Sequence, residues 1–430
     1  MKIQNIGGAT AIVEHDGKRM LFDPWMNEGI YNGSWFHWPK LNVELSEIGR
    51  LDYIYISHIH EDHCAPDTIK QLNRDAEIII MDREPEHPNF VKRFLESHQF
   101  DFKKVHLIRP NTQMEIEPGL VVDMVTGDPE QEYSYQIDSG LILNWGGNTI
   151  YNANDCLPYQ DGIDYIKKTY GKIDLALLPY AGGSGYPGCY TNLSHDEKMQ
   201  ERARIYKGRM GQFVDTVREI SPHKVMPFAD QYVMGGNRGY LNQYSAHPPS
   251  PGYVREFLET AGLDHKLVLL NSGQSYDLQD ESIYPDEPYH LHNEEEREEY
   301  IKELADRKYD YQKVVFRDEV PIDRMFTQAR EKLWAFQEYK KIYPDWIVYF
   351  HITNQNRILK MDYRNSLVEE VPLDTKLEQP YIKLSMDSTL FCMLLINHIS
   401  WNTPDSFIDY ERAPNVFDQE SYVLLNHLRI

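Results

Sequence analysis

The feature that most constrains this chain is the stretch HIHEDH, which follows the apolar run LDYIYIS at 51–57. The run is rich in β-branched and aromatic residues, which predicts a buried strand. His58 and His60 lie two positions apart at the end of that strand, so we expect them to project to the same face. Asp62 and His63 follow in a loop and can reach a second point close by. The two pairs of side chains therefore predict two neighbouring metal ions that share a bridging water.

The rest of the first half of the chain has the alternation of a β-rich α/β fold. Short apolar runs separated by turn signals fill the first 90 residues, and later strands are interrupted by single helices. A long charged helix is predicted from Ser194 to about Glu219. Strands in this order, with helices between them, predict two packed sheets covered by helices outside, an αββα sandwich of the α/β (α+β) class.

A change in composition near 285–295 predicts a domain boundary. The linker PYHLH leads there into the acidic stretch NEEEREE, which favours a helix with a solvated face. We therefore predict a catalytic domain over 1–288 and a smaller helical and α/β domain over 289–430. The second domain pairs two strands with the apolar helix of LSMDSTLFCMLLINHISW, a pattern similar to sterol-carrier-like domains. Such a domain would offer an apolar groove or the surface of a homodimer, and the alternative is a lid packed on the sandwich.

Charge and composition restrict the partners of the chain. It has 44 Lys and Arg residues against 67 Asp and Glu residues, a formal net charge of −23. Such a surface repels nucleic acids and anionic lipids, although a local pocket can still admit a small anionic substrate. The N-terminus lacks the apolar core of a signal peptide, no window has the length of a membrane span, and the four cysteines show no paired spacing. We expect a cytoplasmic chain that acts on a small molecule and binds neither nucleic acid nor membrane.

The motif HxHxDH after a strand, preceded by LFDPW, resembles the signature of the metallo-β-lactamase fold superfamily. The resemblance implies the αββα sandwich and a dinuclear metal site at its edge. It implies that Asp62 and Asp155 also serve in catalysis. By position in the motifs, it assigns the following roles: His58 and His60 to one metal, Asp62 and His63 to the other, Asp155 to both metals, and Asp23 to the support of the ligands.

This sequence departs from that family pattern at two positions where a histidine is expected. Before the bridging acid, the stretch MVTGDPEQ offers Asp128, and after the strand KVMPF the chain offers Asp230, with His247 farther on. We take Asp128 and Asp230 as candidate ligands and His247 as a candidate substrate contact. Carboxylates in place of imidazoles make the site harder, which favours iron over zinc, with manganese as a further option.

A closer resemblance is carried by FDPWMNEGIYNGSWFHWPK, DYIYISHIHEDHCAPDTIKQL, LLPYAGGSGYPGCY and PFADQYV. Together these stretches look like the catalytic region of the CMP-N-acetylneuraminate hydroxylase family, from about residue 3 to 260. That family carries a Rieske iron–sulfur domain, for which this sequence shows no CxH…CxxH ligand set. The resemblance thus implies a separate electron donor, or a substrate that supplies the electrons.

The glycine-rich stretch AGGSGYPG can be interpreted from its residues alone. Glycines allow the backbone to approach a ligand and to present N–H groups to an anion. We therefore take Gly182, Gly183, Ser184 and Tyr186 as candidate substrate contacts. The alternative is a structural turn between a strand and a helix.

Three functions are compatible with these patterns. The first is an oxygen-dependent hydroxylase or oxidase with two iron ions, acting on a small polar substrate such as a sugar nucleotide. The second is a metal-dependent hydrolase of an ester, lactone or phosphodiester. The third is a scaffold protein with a degenerate metal site, which the complete HxHxDH motif disfavours.

Overall fold

The computed structural model of the chain describes residues 1–130, 137–229, 231–314, 321–401 and 404–430. Asp230, one of the predicted metal ligands, lies outside these residues. The description that follows concerns the described residues.

Two sheets packed face to face form the first unit. Their strands, with those of a small separate ribbon, are β1 (Lys2–Gly7), β2 (Thr10–His15), β3 (Lys18–Phe22), β4 (Trp35–His37), β5 (Tyr53–Tyr55), β6 (Glu77–Met81), β7 (Lys104–Ile108), β8 (Met114–Glu117), β9 (Leu120–Thr126), β10 (Ser139–Trp145), β11 (Asn148–Asn152), β12 (Leu175–Leu178), β13 (Lys224–Pro227), β14 (Tyr232–Met234), β15 (Ser275–Asp277) and β16 (Ile283–Tyr284). One sheet has eight strands in the order β16-β15-β1-β2-β3-β5-β6-β7, and the other has six in the order β13-β12-β11-β10-β9-β8. β4 and β14 pair as the separate ribbon. Apolar side chains from both sheets, such as Phe22, Met124 and Leu141, share one buried core between them.

Helices cover the outer faces of both sheets. They are α2 (Pro66–Gln71), α3 (Phe90–Ser97), α4 (Gln160–Tyr170), α5 (His195–Ile220) and α6 (Val254–Thr260), whereas the single turn α1 (Ile30–Gly33) lies next to β4. Ile69 of α2 and Leu95 of α3 pack on the larger sheet. The helices α4, α5 and α6 pack on the smaller one through side chains such as Met210 and Leu258. The predicted αββα sandwich is confirmed.

The long helix α5 shows why its sequence begins a helix where it does. Ser194 accepts a hydrogen bond from the backbone N–H of Glu197, whose carboxylate in turn accepts the N–H of Ser194. This reciprocal capping box satisfies two of the donors that a helix N-terminus leaves unpaired. None of the helices among the described residues is long and apolar enough to cross a lipid bilayer.

The second unit is built on a five-stranded sheet. Its elements are α7 (Glu294–Glu303), α8 (Ile322–Lys340), β17 (Ile347–Ile352), β18 (Arg357–Asp362), β19 (Val368–Val371), β20 (Tyr381–Met386), α9 (Ser388–Leu395), β21 (Asp409–Ala413) and α10 (Gln419–Asn426). The strand order is β19-β18-β17-β20-β21, and α8 and α9 bury Phe326 and Phe391 against Phe350 of the sheet. Helix α7 instead packs Tyr300 and Leu304 against the β4 region of the first unit.

The two units are joined by a direct backbone contact beside the glycine-rich loop, which is the stretch AGGSGYPG at 181–188. Tyr410 of β21 forms a parallel bridge with Tyr190, in which the N–H of Tyr410 donates to the carbonyl of Cys189 over 2.9 Å. The indole Nε1 of Trp35 also donates to Ser406 Oγ over 3.0 Å. The second unit therefore lies against the edge of the sandwich that carries the glycine-rich loop.

Candidate metal centre

The histidine cluster lies at the carboxyl ends of parallel strands in the larger sheet. β5 pairs in parallel with β3 on one side and with β6 on the other. The chain leaves β5 at Ile56 and Ser57, so His58 begins the loop fully buried. Asp23 follows β3 at the same edge, where its N–H donates to the carbonyl of Tyr55 over 2.9 Å. The sheet thus brings together residues from two separate stretches of sequence.

Asp23 and Ser57 hold the imidazoles of two histidines in place. One oxygen of Asp23 accepts the N–H of Ser57 over 2.7 Å, and the other accepts the Ser57 hydroxyl over 2.8 Å and His63 Nδ1 over 2.9 Å. Ser57 Oγ lies 2.9 Å from His58 Nδ1 and can accept its proton. With both Nδ1 atoms acting as donors, the Nε2 atoms of His58 and His63 carry the lone pairs that bind metals. The structure thus places Asp23 where a supporting residue of the ligands is expected.

The first group of candidate ligands is formed by His58, His60 and Asp155. Their ligand atoms all lie within 4.8 Å of one another. His58 Nε2 and His60 Nδ1 are 2.9 Å apart, so the two rings are aimed at a common point. Asp155 follows β11 and approaches from the second sheet, with its Oδ2 4.0 Å from His58 Nε2.

The second group is formed by Asp62, His63 and Asp155, again with ligand atoms within 4.8 Å of one another. His63 Nε2 lies 3.3 Å from Asp155 Oδ1 and 3.6 Å from Asp62 Oδ2. The two oxygens of Asp155 therefore face different groups, one toward His58 and the other toward His63. This is the arrangement that a carboxylate needs in order to bridge two metal ions.

Asp138 lies beside the first group, although it is not one of its members, and the sequence reasoning missed it. Its Oδ1 lies 4.0 Å from His58 Nε2, and the residue is 7% exposed. Asp138 precedes β10, and the next residue ties this strand to the histidine loop because the Ser139 hydroxyl donates to the carbonyl of Ser57 over 2.7 Å. An acid directly before a buried strand was the only signal in the sequence.

Asp128, which the sequence offered as the corresponding ligand, belongs to neither group. Its carboxylate accepts the backbone N–H of Glu130 over 2.9 Å and so closes a local turn. Asp128 follows the end of β9, whereas Asp138 directly precedes β10, whose first residue, Ser139, is bonded to Ser57. This connection to Ser57, next to His58, therefore favours Asp138 as the third side chain at His58.

The electrostatics of the cluster favour bound cations. Burial lowers the pKa of His58 and of His60, so both rings stay neutral, which is the form that binds metal. Burial alone would also lower the pKa of His63, but the carboxylates of Asp155, Asp62 and Asp23 outweigh it and raise the pKa well above its usual value. A site that holds a proton this tightly between carboxylates stabilises positive charge at that point.

The residues present therefore fit a pair of metal ions. Three imidazoles and the carboxylates of Asp62, Asp138 and Asp155 converge from both sheets, and the ligands are supported by Asp23 and Ser57. A ligand set with this share of carboxylate suits iron or manganese as well as zinc. The side chains that would hold the ions are those of His58, His60 and Asp138 at one point, Asp62 and His63 at the other, and Asp155 between them.

Tyr31 is a second residue that the sequence reasoning missed. Its hydroxyl donates to Asp62 Oδ1 over 2.5 Å, and its backbone N–H donates to Glu61 Oε2 over 2.7 Å. Burial and the charge of Asp62 raise the pKa of Tyr31 well above its usual value, so the hydroxyl keeps its proton. Tyr31 has a φ of 49°, a left-handed conformation in which a non-glycine residue is held by its surroundings. The stretch GIYNG thus presents a hydrogen-bond donor to a candidate metal ligand.

A cavity of about 860 Å³ opens from the metal cluster toward the second unit. Its wall on the metal side includes His60, Asp62 and Asp155, and the predicted substrate contacts Gly183, Ser184 and Tyr186 also line it. On the far side the second unit supplies residues that include Ile382, Trp401, Tyr410, Arg412 and Phe417. The cavity has the size of a pocket for a small organic molecule.

The other two predicted substrate contacts, Gly182 and His247, are not among the residues that line this cavity. A Cβ on Gly182 would approach Arg209 Nη2 to 3.0 Å, so the absence of a side chain lets the guanidinium pack on the loop. His247 is buried, with Nε2 2.8 Å from the carbonyl of Gly182 and Nδ1 3.4 Å from that of Tyr232. Burial lowers its pKa to about 4. These contacts give His247 a role in holding the glycine-rich loop.

A sequence profile for the family described as Beta-lactamase superfamily domain matches residues 2–227, more than half of the chain. Among curated proteins, the chain is 26% identical over 230 residues to a putative Rieske 2Fe-2S iron-sulfur protein of Mycolicibacterium smegmatis, covering 49% of this chain and 42% of that protein. It is also 26% identical over 251 residues to the cytidine monophosphate-N-acetylneuraminic acid hydroxylase of Mus musculus, covering 56% of this chain and 38% of that protein. The chain thus spans less than half the length of these relatives.

Among solved structures, the chain is similar to CmlA, a diiron β-hydroxylase from Streptomyces venezuelae, with a TM-score of 0.44 and 13% identity over 63% of this chain and 52% of that one. It is also similar to Igni18, a metallo hydrolase from Ignicoccus hospitalis, with a TM-score of 0.42 and 17% identity over 64% of this chain and 98% of that one. The profile match confirms the resemblance that the HxHxDH motif indicated, and with it the metallo-β-lactamase fold.

Proposed function

We propose that this chain, which belongs to the family described as Beta-lactamase superfamily domain, is a dinuclear metalloenzyme. It oxidises a small anionic substrate with dioxygen. The observation that carries this proposal is the composition of the ligand set. Asp138 lies 4.0 Å from His58, where an imidazole is usual, and together with Asp62 and Asp155 of the two groups it would bring three carboxylates to the three imidazoles. Hard oxygen ligands favour iron over zinc, and they tolerate its higher oxidation states.

Two bound iron ions would supply the reduction of dioxygen. Insertion of one oxygen atom into a C–H bond of the substrate leaves the other atom to form water, which takes two electrons and two protons from a donor. We propose that the electrons come from a separate donor protein or from the substrate itself. The names of the relatives, a hydroxylase and putative Rieske proteins, support an oxidation, and such a name also fits a partner that delivers electrons.

Three arginines line the wall of the cavity, and the two that are not paired as Arg204 is with Glu201 support an anionic substrate. Arg209 comes from α5 and Arg412 from β21. Neither guanidinium forms an ion pair with a carboxylate among the described residues, although the chain as a whole carries a net charge of −23. Arginine side chains that are left without a partner carboxylate can bind a phosphate or carboxylate through paired hydrogen bonds.

Aromatic rings beside Arg412 support a substrate that also has a flat or apolar part. The guanidinium carbon of Arg412 lies 5.0 Å from the ring centre of Tyr190 and 5.7 Å from that of Tyr186. Trp35, which lines the same cavity, stacks on Tyr232 with the ring centres 3.3 Å apart. A sugar nucleotide combines the charged phosphate and the flat base that such a wall could bind, so we propose this class as the first to test.

The carboxylates of Asp62 and Asp155 are the acid–base groups of the cavity. Both line it, so both can exchange a proton with a bound substrate. Tyr31 donates to Asp62 Oδ1 and so leaves Oδ2 as the oxygen that faces His63. Side chains of both units enclose the substrate, which excludes bulk water from the reacting atoms.

The test measures metal content and the dependence of turnover on oxygen. We expect protein purified without air to contain two iron ions per chain and to consume oxygen when a reductant and a sugar nucleotide are both supplied. Protein that holds two tightly bound zinc ions and cleaves a phosphodiester or lactone without oxygen would contradict the proposal in favour of the hydrolase. Protein that retains no metal would indicate the scaffold.

The substrate class is tested with Arg412→Ala. Loss of a charged hydrogen-bond donor should raise KM for an anionic substrate by about 10-fold or more, since such bonds contribute about 1.5–3 kcal/mol. The matched control is Arg364→Ala, which removes an arginine paired with Asp362 away from the cavity. Equal KM values for both variants would contradict an anionic substrate.

A further inference from the structure

A second cavity of about 820 Å³ lies away from the metal cluster and shares no lining residue with the first. One part of its wall comes from the start of the larger sheet, at Gly7 and Gly8, and another from the end of β13 at Pro227. The segment 285–292 and one side of α7, from Glu296 to Glu303, form its rim. The cavity therefore lies between the end of β1, the end of β13 and the segment that leads into α7.

Three side chains with metal-binding groups meet at this rim. His290 and His292 are two positions apart, and their ring centres lie 4.3 Å from each other. Glu296 Oε1 is 2.7 Å from His290 Nε2, while its Oε2 is 3.6 Å from His292 Nδ1. The ligand atoms of the three residues all lie within 4.8 Å of one another. All three residues line the cavity.

The backbone that carries these side chains is held on both sides of the group. Asn271 accepts the N–H of His290 over 2.9 Å and donates to the carbonyl of Pro288 over 3.0 Å. On the other side, Glu296 is held by the capping box of α7, in which its Oε2 accepts the N–H of Asn293 over 2.8 Å. The three ligands are therefore in place before an ion arrives, which lowers the cost of ordering them.

The surroundings also suit a cation. The ring of His292 packs against that of Trp38, with the ring centres 5.2 Å apart. Glu299 and Glu303 of α7 line the cavity as well and add negative charge.

We propose that His290, His292 and Glu296 bind one divalent transition-metal ion, of the class of Zn²⁺, at a site separate from the dinuclear centre. Two imidazoles and one carboxylate form a ligand set that zinc uses in sites with an open position. The open position would face the second cavity, where a small ligand could complete the coordination. Without an ion, the same side chains are joined by the contacts of Glu296 with His290 and His292.

The experiment compares metal uptake by the full chain and by a double variant. Protein as purified is titrated with Zn²⁺ and passed through a desalting column before its metal content is measured. We expect the wild-type chain to retain one equivalent more than the His290→Ala, His292→Ala variant. The matched control, His195→Ala with His265→Ala, removes two exposed histidines outside the group and should keep the extra equivalent.

Two further measurements separate binding at this site from a change in folding. Glu296→Gln keeps an oxygen that can accept the N–H of Asn293, so α7 keeps its cap while the site loses its anionic ligand. Zn²⁺ should raise the Tm of the wild-type chain by more than it raises the Tm of Glu296→Gln and of the double variant, which keep only the dinuclear centre. Equal zinc uptake by the wild-type chain and the double variant, or loss of uptake in the control, would overturn the proposal. Because no residue is shared with the dinuclear centre, neither result depends on the proposed oxidation.

Discussion

Asp23 illustrates how one buried side chain can orient ligands on two sides of a metal cluster. It has no exposed area and a φ of 42°, which is unusual for a residue with a side chain. Burial raises the pKa of its carboxyl group, while the hydrogen bonds from His63 and Ser57 act in the opposite direction. The strained backbone and the buried acid persist because His63 and, through Ser57, His58 need this acceptor.

The substitution Asp23→Asn tests this role. The amide is nearly isosteric but presents N–H groups as well as one oxygen, so it can no longer accept from both Ser57 and His63 and would disturb the tautomer of one histidine. We expect metal affinity to fall by about 10- to 100-fold, as for other residues that support metal ligands. Competition with a chelator measures the affinity. Asp16→Asn, at an exposed turn residue with a similar φ of 49°, is the control and should leave it unchanged.

The choice between Asp138 and Asp128 is also decided at the scale of the residue. Asp138 lies 4.0 Å from His58, so Asp138→Ala should remove a ligand and lower metal affinity by at least about 10-fold. Asp128→Ala should leave metal content unchanged because that side chain closes a local turn. Metal analysis of both variants checks this. The reverse order of effects would mean that Asp128 is the ligand.

At the scale of the element, the glycine-rich loop depends on a histidine far along the chain. His247 contacts the carbonyls of Gly182 and Tyr232, and Arg297 donates to the carbonyl of His247 itself over 3.0 Å. His247, which is itself held by Arg297, therefore stabilises a loop that lines the cavity.

The lowered pKa of His247 predicts a pH dependence of stability. The ring stays neutral in the folded chain down to a pKa of about 4, whereas in the unfolded chain it takes up a proton near 6.5. Between these values the unfolded chain binds more protons, so the free energy of unfolding falls as the pH is lowered, by up to about 3 kcal/mol. Chemical unfolding between pH 7 and 4 should show a shallower decline for His247→Gln than for the wild-type chain and for His98→Gln, an exposed control. Parallel curves for all three proteins would contradict this prediction.

At the scale of the whole molecule, the cavity exists only because the second unit lies on the sandwich. Arg238 Nη1 forms an ion pair with Asp409 over 2.8 Å, and its Nη2 donates to the carbonyl of Ile408 over 3.0 Å. These contacts lie at the start of β21, the strand that also carries Tyr410 and Arg412. The orientation of the second unit therefore decides which of its side chains face the metal cluster.

Arg238→Ala should weaken this contact between the units. Removing hydrogen bonds from a charged, mostly buried group is expected to lower the free energy of unfolding by about 2 kcal/mol. KM should also rise, because Arg412 would no longer be held at the cavity. Denaturant unfolding and steady-state kinetics provide the two measurements. Arg364→Ala breaks an exposed ion pair within the second unit and should change stability by less than about 1 kcal/mol.

Residues whose positions follow from local periodicity were predicted well. The strand before His58, the spacing that puts His58 and His60 together, and the capped helix that begins after Ser194 are all properties of a few consecutive residues. The sandwich followed from the order of such elements. The sequence by itself thus determined the fold and the motif HIHEDH at the end of its strand.

Tertiary structure alone decided which distant residues complete the sites. Asp138 reaches His58 through a tie between Ser139 and Ser57, and Arg412 reaches the cavity through pairing with the glycine-rich loop. The segment at His290 looked like a linker followed by a solvated helix, yet its side chains meet because Asn271 holds the backbone of His290 while the capping box of α7 holds Glu296. Such contacts depend on how whole sheets and units pack, and packing leaves no short-range pattern in the sequence.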